Sequence, residues 1–142
     1  MNIQCVAHGI VHHNDRILVY NVIDKSSKKS FYRSIGGHVE FGESSSDTLI
    51  REFKEEINEG ISVFKKLGTY ENIFNYKGKT MHEYVTISLV NFNNKRLYAM
   101  NEIIGNEGPD RQFIAKWISV GDFINENKII YPEQTLMHLK NL

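Results

Sequence analysis

A cluster of carboxylates within one short stretch, residues 36–60, limits most strongly what this sequence can fold into. Apolar residues recur there at a spacing that places them within an arc of about 100° on a helix, the stripe that a surface helix buries: Leu49, Ile50, Phe53 and Ile57. Glutamates three and four residues apart occupy a second arc: Glu52, Glu55, Glu56 and Glu59. The stretch therefore predicts an amphipathic helix with one apolar face and one acidic face.

The acidic face is unfavourable for the stability of such a helix. Each pair of like charges three or four residues apart costs about 0.2–0.5 kcal/mol, and anions are disfavoured in the C-terminal half of a helix by the macrodipole. The neighbouring cations Arg51 and Lys54 fall outside the acidic arc. Because hard divalent cations bind carboxylate oxygens, the arrangement favours a metal site over the alternative of a solvated acidic face.

The composition is that of an ordinary globular protein and narrows the classes of function. The 142 residues are 41% hydrophobic and 24% charged, which predicts one domain spanning residues 1–142. Seventeen basic and seventeen acidic residues cancel, which argues against long nucleic acid as a partner. The sequence shows neither a signal-peptide pattern nor an apolar run long enough for a membrane span. With a single cysteine, Cys5, which we expect to be buried, it predicts a cytoplasmic protein without a membrane partner.

Hydrophobic periodicity predicts strands on both sides of the acidic helix. We expect strands at 2–11, 16–23, 31–34, 80–92 and 113–119. Turn residues predict turns at 12–15 and 75–79, an exposed loop at 24–30 and a long loop at 93–111, whereas 61–75 gives no clear pattern. The adjacent Gly36 and Gly37 predict a further turn, in which the backbone can also approach a ligand.

The same reasoning places the helices. A serine among residues 44–46 caps the acidic helix, which begins near 45–46 and ends between 58 and 60. A short helix is expected at 120–125 and a final helix at 132–142, with proline in its first turn. This order of elements predicts an α+β protein in which helices pack against a mixed β-sheet. Strands and helices do not alternate strictly, which argues against a doubly wound nucleotide-binding fold.

From Gly37 to Glu56 the sequence reads G-x5-E-x7-R-E-F-x-E-E, which resembles the signature of the Nudix hydrolase family, G-x5-E-x7-R-E-U-x-E-E-x-G-U, with U an aliphatic residue. Seven of the nine specified positions match by type if Phe53 is accepted as U. Asn58 replaces the second glycine and Glu59 the last aliphatic residue. Asparagine also tolerates the left-handed conformation that ends helices. The resemblance implies an α/β/α sandwich of Nudix type, with the acidic helix and the C-terminal helices packed on a mixed β-sheet.

The resemblance also implies an activity and a site. Nudix enzymes use Mg²⁺ or Mn²⁺ to hydrolyse a diphosphate linkage in a nucleotide or another derivative of a nucleoside diphosphate. The implied metal ligands are the carbonyl of Gly37 and three carboxylates: Glu52, Glu55 and Glu56. Arg51 would orient a carboxylate of the motif, and Glu43 would hold the preceding loop on the helix or bind the metal indirectly; with Glu52 they form the predicted catalytic set. Because dimers are frequent in the family, a homodimer is also expected.

Several roles stay open at this point. The general base is Glu52, which we favour, or one of two carboxylates in the long loop, Glu102 and Glu107. Substrate contacts are predicted for three residues that have ordinary structural roles as alternatives: Arg33, Tyr32 and His82. The departures at 58 and 59 mildly favour a second hypothesis, a Nudix-fold regulatory module that binds a nucleotide without cleaving it. The identity of the small-molecule substrate depends on the segments 24–32 and 93–112, whose sequence does not specify it.

Overall fold

The computed structural model describes residues 2–25 and 27–142. In chain order, the strands of this part are β1 (Ile3–Ile10), β2 (His12–His13), β3 (Arg16–Asp24), β4 (Lys29–Arg33), β5 (Ile35–His38), β6 (Ile61–Tyr76), β7 (Lys79–Phe92), β8 (Glu102–Asn106), β9 (Gln112–Ser119) and β10 (Ile130–Tyr131). The helices are α1 (Ser45–Ile57), α2 (Val120–Ile124) and α3 (Thr135–Leu139), with a 3₁₀ helix at Lys95–Ala99.

The strands form two mixed sheets. The first has the order β5-β1-β7-β6, in which β1 and β7 are parallel and the other neighbours antiparallel. The second has the order β10-β4-β3-β9-β8, with β2 paired to β3 and with β10 parallel to β4. Parallel pairing of β1 with β7 requires a long connection, and the acidic helix α1 lies within it.

Helices cover both sides of the sheets. On one side, Leu49 and Phe53 of α1 are fully buried and pack in one cluster with Ala7 of β1 and Leu18 of β3. On the other side, Val6 belongs to a second cluster that includes residues of α2 and α3. Successive residues of a strand point to opposite faces, so β1 contributes Val6 and Ala7 to different clusters. The predicted α+β arrangement, with helices packed on mixed sheets, is confirmed.

The ends of α1 follow the local sequence. Ser44 is the N-cap, its hydroxyl accepting a hydrogen bond from the Asp47 amide at 3.0 Å while the Asp47 carboxylate accepts one from the Ser44 amide at 3.4 Å. At the other end Asn58 takes the left-handed conformation, with φ 57° and ψ 38°. The predicted start and end of the helix are therefore confirmed, and the asparagine in place of glycine still ends it.

Two predicted turns are tighter than expected. His12 and His13 were expected in a turn but form β2, and the turn consists of Asn14 and Asp15, whose φ values are 52° and 58°. Likewise only Lys77 and Gly78 connect β6 to β7, with φ values of 52° and 75°. Two-residue turns with positive φ match the twist of paired strands, which explains why the strands extend further toward each turn than the polar residues suggested.

Other irregular regions differ from the expectations. The segment 93–111 is not one loop, because it contains the 3₁₀ helix and β8, where Ile103 and Gly105 are buried. The unassigned segment 61–75 is part of β6. The final helix α3 is shorter than expected, and Pro132 lies before it. The predicted loop 24–30 is shorter in the structure, because β3 extends to Asp24 and β4 begins at Lys29. Ser26, within this loop, lies outside the described residues.

The thiol of Cys5 is exposed, so the expectation of a buried cysteine was wrong. Cys5 shares one face of β1 with Ala7 and Gly9, and the Phe53 ring of α1 covers that face at Gly9. Toward the start of the strand the same face is open, and Ile3 is 60% exposed. The position of α1 along the sheet, which the sequence of β1 does not encode, decides this exposure. In the described part of the chain, no helix is long and apolar enough to cross a membrane.

Candidate active site

A cavity of about 640 Å³ opens between α1, β5 and the segment that follows β8. We call it the acidic cavity, because four of its lining residues are glutamates: Glu52, Glu55, Glu56 and Glu107. The remaining lining residues are Arg33, Gly36, Gly37, His38, Asn106 and Gly108. The fold therefore gathers the predicted metal ligands, the predicted substrate contact Arg33 and one of the two loop carboxylates at one place.

The two glycines lie within β5, so the predicted turn at this point was wrong. Because they lack side chains, the two glycines allow neighbouring atoms to lie close to the backbone of β5. A Cβ on Gly36 would lie 2.0 Å from the carbonyl oxygen of Ala7 on the neighbouring strand, and a Cβ on Gly37 would lie 2.3 Å from Oε1 of Glu52. Gly36 is thus required for strand packing, whereas Gly37 lets the Glu52 carboxylate lie directly against the backbone of β5.

Arg51 connects the carboxylates of the site. Its Nε and Nη2 donate to the two carboxylate oxygens of Glu43 at 2.7 and 3.0 Å, and its Nη2 also donates to the carbonyl oxygen of His38 at 2.9 Å. Its Nη1 donates to Oε1 of Glu52 at 2.9 Å and to Oε2 of Glu55 at 3.3 Å. A planar guanidinium suits such divided contacts. This geometry accords with the orienting role of Arg51, which stays a prediction.

Glu43 is turned toward the protein rather than into the acidic cavity. Besides Arg51, it accepts hydrogen bonds from the Glu40 amide at 3.0 Å and from the Thr48 hydroxyl at 2.9 Å. Chiefly because of the Arg51 hydrogen bonds, the pKa of Glu43 is lowered to about 2. Glu43 therefore stays ionised and joins the 39–43 loop to the first turn of α1, which is one of the two roles that the resemblance implied.

Glu52 and Glu56 have electrostatic environments that oppose their ionisation. Burial raises the pKa of Glu52, although the hydrogen bond from Arg51 acts in the opposite direction. Glu56 is only 7% exposed, and no described residue hydrogen-bonds to its Oε2. Burial and then the charges of Glu52 and Glu107 raise the pKa of Glu56 to about 9. The base of the cavity thus holds an unpaired carboxyl that a cation would stabilise in its ionised form.

The segment after β8 brings Glu107 to the rim of this cavity. The hydroxyl of Tyr20, buried and stacked on Phe113, donates a hydrogen bond of 2.5 Å to Oε1 of Glu107. Burial, followed by the contact with Glu107, raises the pKa of Tyr20, which therefore stays protonated as the donor. The other loop carboxylate, Glu102, is 3.7 Å from Lys116 on the exposed side of β8 and does not line the cavity.

A second cavity, of about 230 Å³, adjoins the acidic cavity and shares Arg33, Gly37 and His38 with it. We call it the aromatic cavity, because four of its lining residues are phenylalanines or tyrosines: Phe31, Phe74, Tyr76 and Tyr131. Parallel pairing of β1 with β7 sets Gln4 and Glu83 side by side in it. This cavity was not predicted from the sequence. One feature of the sequence did indicate a polar site, because the charged Glu83 lies on the same face of its strand as the apolar Val85.

The two other predicted substrate contacts lie elsewhere. His82 is on the opposite face of β7 from Glu83, and its Nε2 is 2.7 Å from Oε2 of Glu71. The ring of Tyr32 packs edge-on against Phe123 at 5.9 Å. Neither residue lines the acidic or the aromatic cavity. Of the three predicted substrate contacts, the fold therefore brings only Arg33 to the candidate site.

The donor set of the acidic cavity fits a hard divalent cation such as Mg²⁺ by its chemistry, since it consists of carboxylate oxygens and includes the buried, unpartnered Oε2 of Glu56. Within the described part of the chain, however, no group of three or more His, Cys, Asp or Glu side chains is arranged to hold a metal ion. The reason is visible at Arg51, whose Nη1 is bonded to both Glu52 and Glu55. Because the Glu55 side chain is 58% exposed, it can rotate away from Arg51 without losing packing.

Comparison with known proteins gives a consistent result. A family model described as "NUDIX domain" matches residues 5–136. A comparison with curated proteins finds no significant match. The fold is similar to that of the ORF135 protein of E. coli, with a TM-score of 0.64 and 18% identity over 99% of this chain and 88% of that one.

Two further solved structures share the fold. The MutT protein from Methanosarcina mazei Go1 has a TM-score of 0.63 and 13% identity over 98% of this chain and 94% of that one. The NUDIX hydrolase from Nitrosomonas europaea has a TM-score of 0.62 and 17% identity over 99% and 89%. At these identities the structures establish the architecture, while the match of the family model covers most of the sequence.

Proposed function

We propose, on the premise that this chain belongs to the NUDIX domain family, that it uses Mg²⁺ or Mn²⁺ to hydrolyse a diphosphate linkage in a nucleotide or a nucleoside diphosphate derivative. Its family and fold are those of pyrophosphohydrolases. The observation that carries the proposal is the unpaired, buried carboxyl of Glu56, whose pKa is raised to about 9 beside Glu52 and Glu107. Such a cluster is costly in a protein that binds no cation there.

The residues that would hold the cation are the carboxylates of Glu52, Glu55 and Glu56, with the carbonyl of Gly37. A divalent cation held there would supply positive charge to the phosphoryl oxygens and would lower the pKa of a nucleophilic water. Arg51 fixes the orientation of Glu52 while its remaining donors hold Glu43, so that Glu43 contributes to catalysis by positioning. Arg33, which lines both cavities, supplies a cationic group for the phosphates of the substrate.

The general base is proposed to be Glu52, with Glu107 as the competing candidate. Both line the acidic cavity, and the pKa of Glu52 is raised by burial, which makes its carboxylate a stronger base than an exposed one. Glu107 is held by Tyr20, whose hydroxyl remains a donor and fixes the direction of one oxygen. Glu102 is not proposed as the general base, because its side chain is on the exposed side of β8.

The remaining parts of the proposal concern the organisation and surroundings of the protein. The residues 1–142 are proposed to act as one catalytic domain with a small-molecule substrate. A free, exposed thiol at Cys5 suits the reducing cytosol. Homodimer formation stays a prediction from the family resemblance.

The test is a turnover assay. Release of phosphate or mononucleotide is measured for a panel of nucleotides, dinucleotides and sugar nucleotides with Mg²⁺, with Mn²⁺ and with EDTA. We expect hydrolysis only with metal, and a loss of about 100-fold or more in Glu52→Gln and Glu56→Gln, since metal coordination supplies several kcal/mol. Glu59→Gln, a substitution outside the acidic cavity on the same segment, is the matched control. Metal-independent turnover, or equal rates in all four proteins, contradicts the proposal.

The competing function is a nucleotide-binding module without catalysis. It is favoured by one observation, namely that the side chains of the described residues are not arranged to hold a metal ion while Arg51 engages Glu52 and Glu55. Calorimetry distinguishes the two functions. Tight nucleotide binding with no product after prolonged incubation in Mg²⁺ or Mn²⁺ establishes the binding module, whereas product formation excludes it.

A further inference from the structure

We infer that the aromatic cavity holds the heterocyclic base of the substrate and that Glu83 selects bases carrying an exocyclic amino group. The inference rests on the proposed function for the position of the phosphates, since the aromatic cavity meets the acidic cavity at Arg33, Gly37 and His38. A nucleotide with its diphosphate group in the acidic cavity therefore has its base directed toward the rings.

The size and walls of the cavity suit one flat ring system. Its volume of about 230 Å³ is below the range of about 300–1,000 Å³ typical of sites for drug-sized molecules. The rings come from three separate strands, with Phe31 on β4, Phe74 on β6 and Tyr131 on β10. Phe31 and Phe74 each lie near Tyr131, with ring centroids 6.2 and 5.3 Å apart. Aromatic faces bind any base by stacking but do not distinguish one from another.

Discrimination requires polar groups, and the cavity has three whose buried atoms have no hydrogen-bond partner among the described residues. These atoms are Oε1 of Glu83, the hydroxyl of Tyr131 and Nε of Arg33. Glu83 is only 6% exposed. Buried polar atoms of native proteins are almost always paired, so three unpaired atoms around one cavity indicate a ligand that supplies the missing partners.

Glu83 determines which partner is supplied. A carboxylate only accepts hydrogen bonds, and a protonated carboxyl still keeps a carbonyl-type acceptor. The carboxylate form of Glu83 therefore needs a donor from the ligand at its unpaired oxygen. Cytosine, adenine and guanine each offer an exocyclic amino group, whereas uracil and hypoxanthine present a carbonyl oxygen, or a ring carbon, at the corresponding position. Leaving a buried acceptor unpaired carries a cost, and the cavity is expected to reject the bases without an amino group.

Two neighbours determine the geometry of this contact. Gln4 is aligned with Glu83 in the pairing of β1 with β7, and its Oε1 lies 3.1 Å from Nε2 of His38. This contact engages the carboxamide oxygen of Gln4 and leaves its nitrogen free of His38. A donor on β1 and the Glu83 acceptor on β7 thus line the same cavity from paired positions, so that a base presenting an amino group beside a ring nitrogen or a carbonyl oxygen can meet both groups.

The first experiment needs no variant. Binding of nucleoside monophosphates, which contain no diphosphate linkage, is measured by calorimetry in Mg²⁺ and in EDTA for three pairs that differ at an amino position: GMP with IMP, AMP with IMP, and CMP with UMP. Whether the cavity takes purines or pyrimidines, we expect the nucleotide with the amino group to bind at least about tenfold more tightly than its partner in the pair. This is the effect of one hydrogen bond to a buried acceptor. Equal affinities within all three pairs, or no binding of any of the five nucleotides in either condition, overturn the inference.

The second experiment assigns the effect to the residue. Glu83→Met replaces the carboxyl by an apolar side chain that is also unbranched, and the preference within the pair should fall to about twofold or less. Glu71→Met, on the neighbouring strand, is the matched control, because the Glu71 side chain is 48% exposed and lies outside both cavities. Urea unfolding verifies that both variants are folded. An unchanged preference in folded Glu83→Met overturns the role of Glu83.

These outcomes are separable from those of the proposed function. If the protein cleaves no nucleotide but binds GMP or CMP through Glu83, the proposed hydrolysis fails and the inference stands. If it cleaves nucleotides with metal and shows no preference for amino-bearing bases, the inference fails and the hydrolysis stands.

Discussion

Replacing Glu56 by glutamine should stabilise the protein in the absence of metal while abolishing its activity. The carboxyl is 7% exposed, its Oε2 has no hydrogen-bond partner in the described part of the chain, and its pKa is raised from 4.5 to about 9 by burial and by the charges of Glu52 and Glu107. Glutamine is the uncharged isostere of the protonated form, so the substitution removes the cost of ionisation and leaves the packing unchanged.

The magnitude follows from proton linkage. Between pH 4.5 and about 9 the folded protein binds a proton at Glu56 that the unfolded chain has released, so the free energy of unfolding of the wild type falls as pH rises through this window. Each pH unit corresponds to about 1.36 kcal/mol. Three units separate pH 4.5 from pH 7.5, which gives the variant an advantage of about 4 kcal/mol at pH 7.5 and almost none at pH 4.5. That is a large share of the total stability of about 5–15 kcal/mol usual for a domain.

The assay is urea unfolding in EDTA, followed by the fluorescence of Trp117, at pH 5.0, 6.5 and 8.0. The advantage of Glu56→Gln over the wild type should grow by about 1.36 kcal/mol per pH unit. Glu59→Gln serves as the control and should differ from the wild type by less than about 0.5 kcal/mol at every pH. An advantage that does not change with pH, or a variant that is less stable than the wild type at pH 8.0, would refute the reasoning.

Metal provides a second readout of the same substitution. Adding Mg²⁺ should stabilise the wild type by about 2.7 kcal/mol when the free concentration is 100 times the dissociation constant. The gain should be much smaller in Glu56→Gln, because the variant lacks an ionised ligand. Equal stabilisation of both proteins by Mg²⁺ would show that Glu56 is not a ligand.

Further predictions concern the groups around this cluster. Arg51→Lys should lower the free energy of unfolding by about 1–3 kcal/mol, because an ammonium group cannot donate to both oxygens of Glu43 and to Glu52 at the same time. Urea unfolding at pH 7.5 measures this difference, and an unchanged stability would contradict the role of Arg51. Gly37→Ala should reduce turnover by about 100-fold and lower the free energy of unfolding by about 1–3 kcal/mol, since the methyl group would lie 2.3 Å from Oε1 of Glu52 and would displace a carboxylate that Arg51 holds. Kinetic and urea-unfolding measurements check both effects, and unchanged turnover would contradict the role of Gly37. Asn58→Ala should lower the free energy of unfolding by about 1 kcal/mol, because φ at Asn58 is 57° and alanine disfavours positive φ, whereas Asn58→Gly should be nearly neutral. Equal stability of the two variants would contradict the role of Asn58 as the C-cap of α1.

The helix α1 could be predicted almost completely from the sequence, because every interaction that defines it is local. Ser44 and Asp47 are three residues apart, and the apolar stripe of Leu49 and Phe53 repeats at the helical period. The left-handed conformation at Asn58 also depends on one residue type. Such features are encoded within a few positions of the chain, so they do not depend on where the helix lies in the fold.

Strand ends and loops were predicted less well, because they depend on pairing with distant residues. The segment containing β8 is rich in Asn and Gly, and it becomes a strand because β9 offers it a partner. Gly36 and Gly37 indicated a turn by type, yet β5 pairs with β1 and both glycines accommodate close neighbours instead. Cys5 has apolar neighbours in sequence, but α1 covers the face of β1 further along.

The candidate site also combines features that follow from local sequence with features that depend on the tertiary structure. The sequence alone specified the acidic face of α1 with Glu52, Glu55 and Glu56, because helical periodicity fixes which side chains are neighbours. Only the tertiary structure decided that Glu107 and Arg33 face that helix and that Glu102 and His82 do not. The aromatic cavity could not be assembled from the sequence, since its rings come from β4, β6 and β10, and positions so far apart in the chain meet only through the order of strands in two sheets.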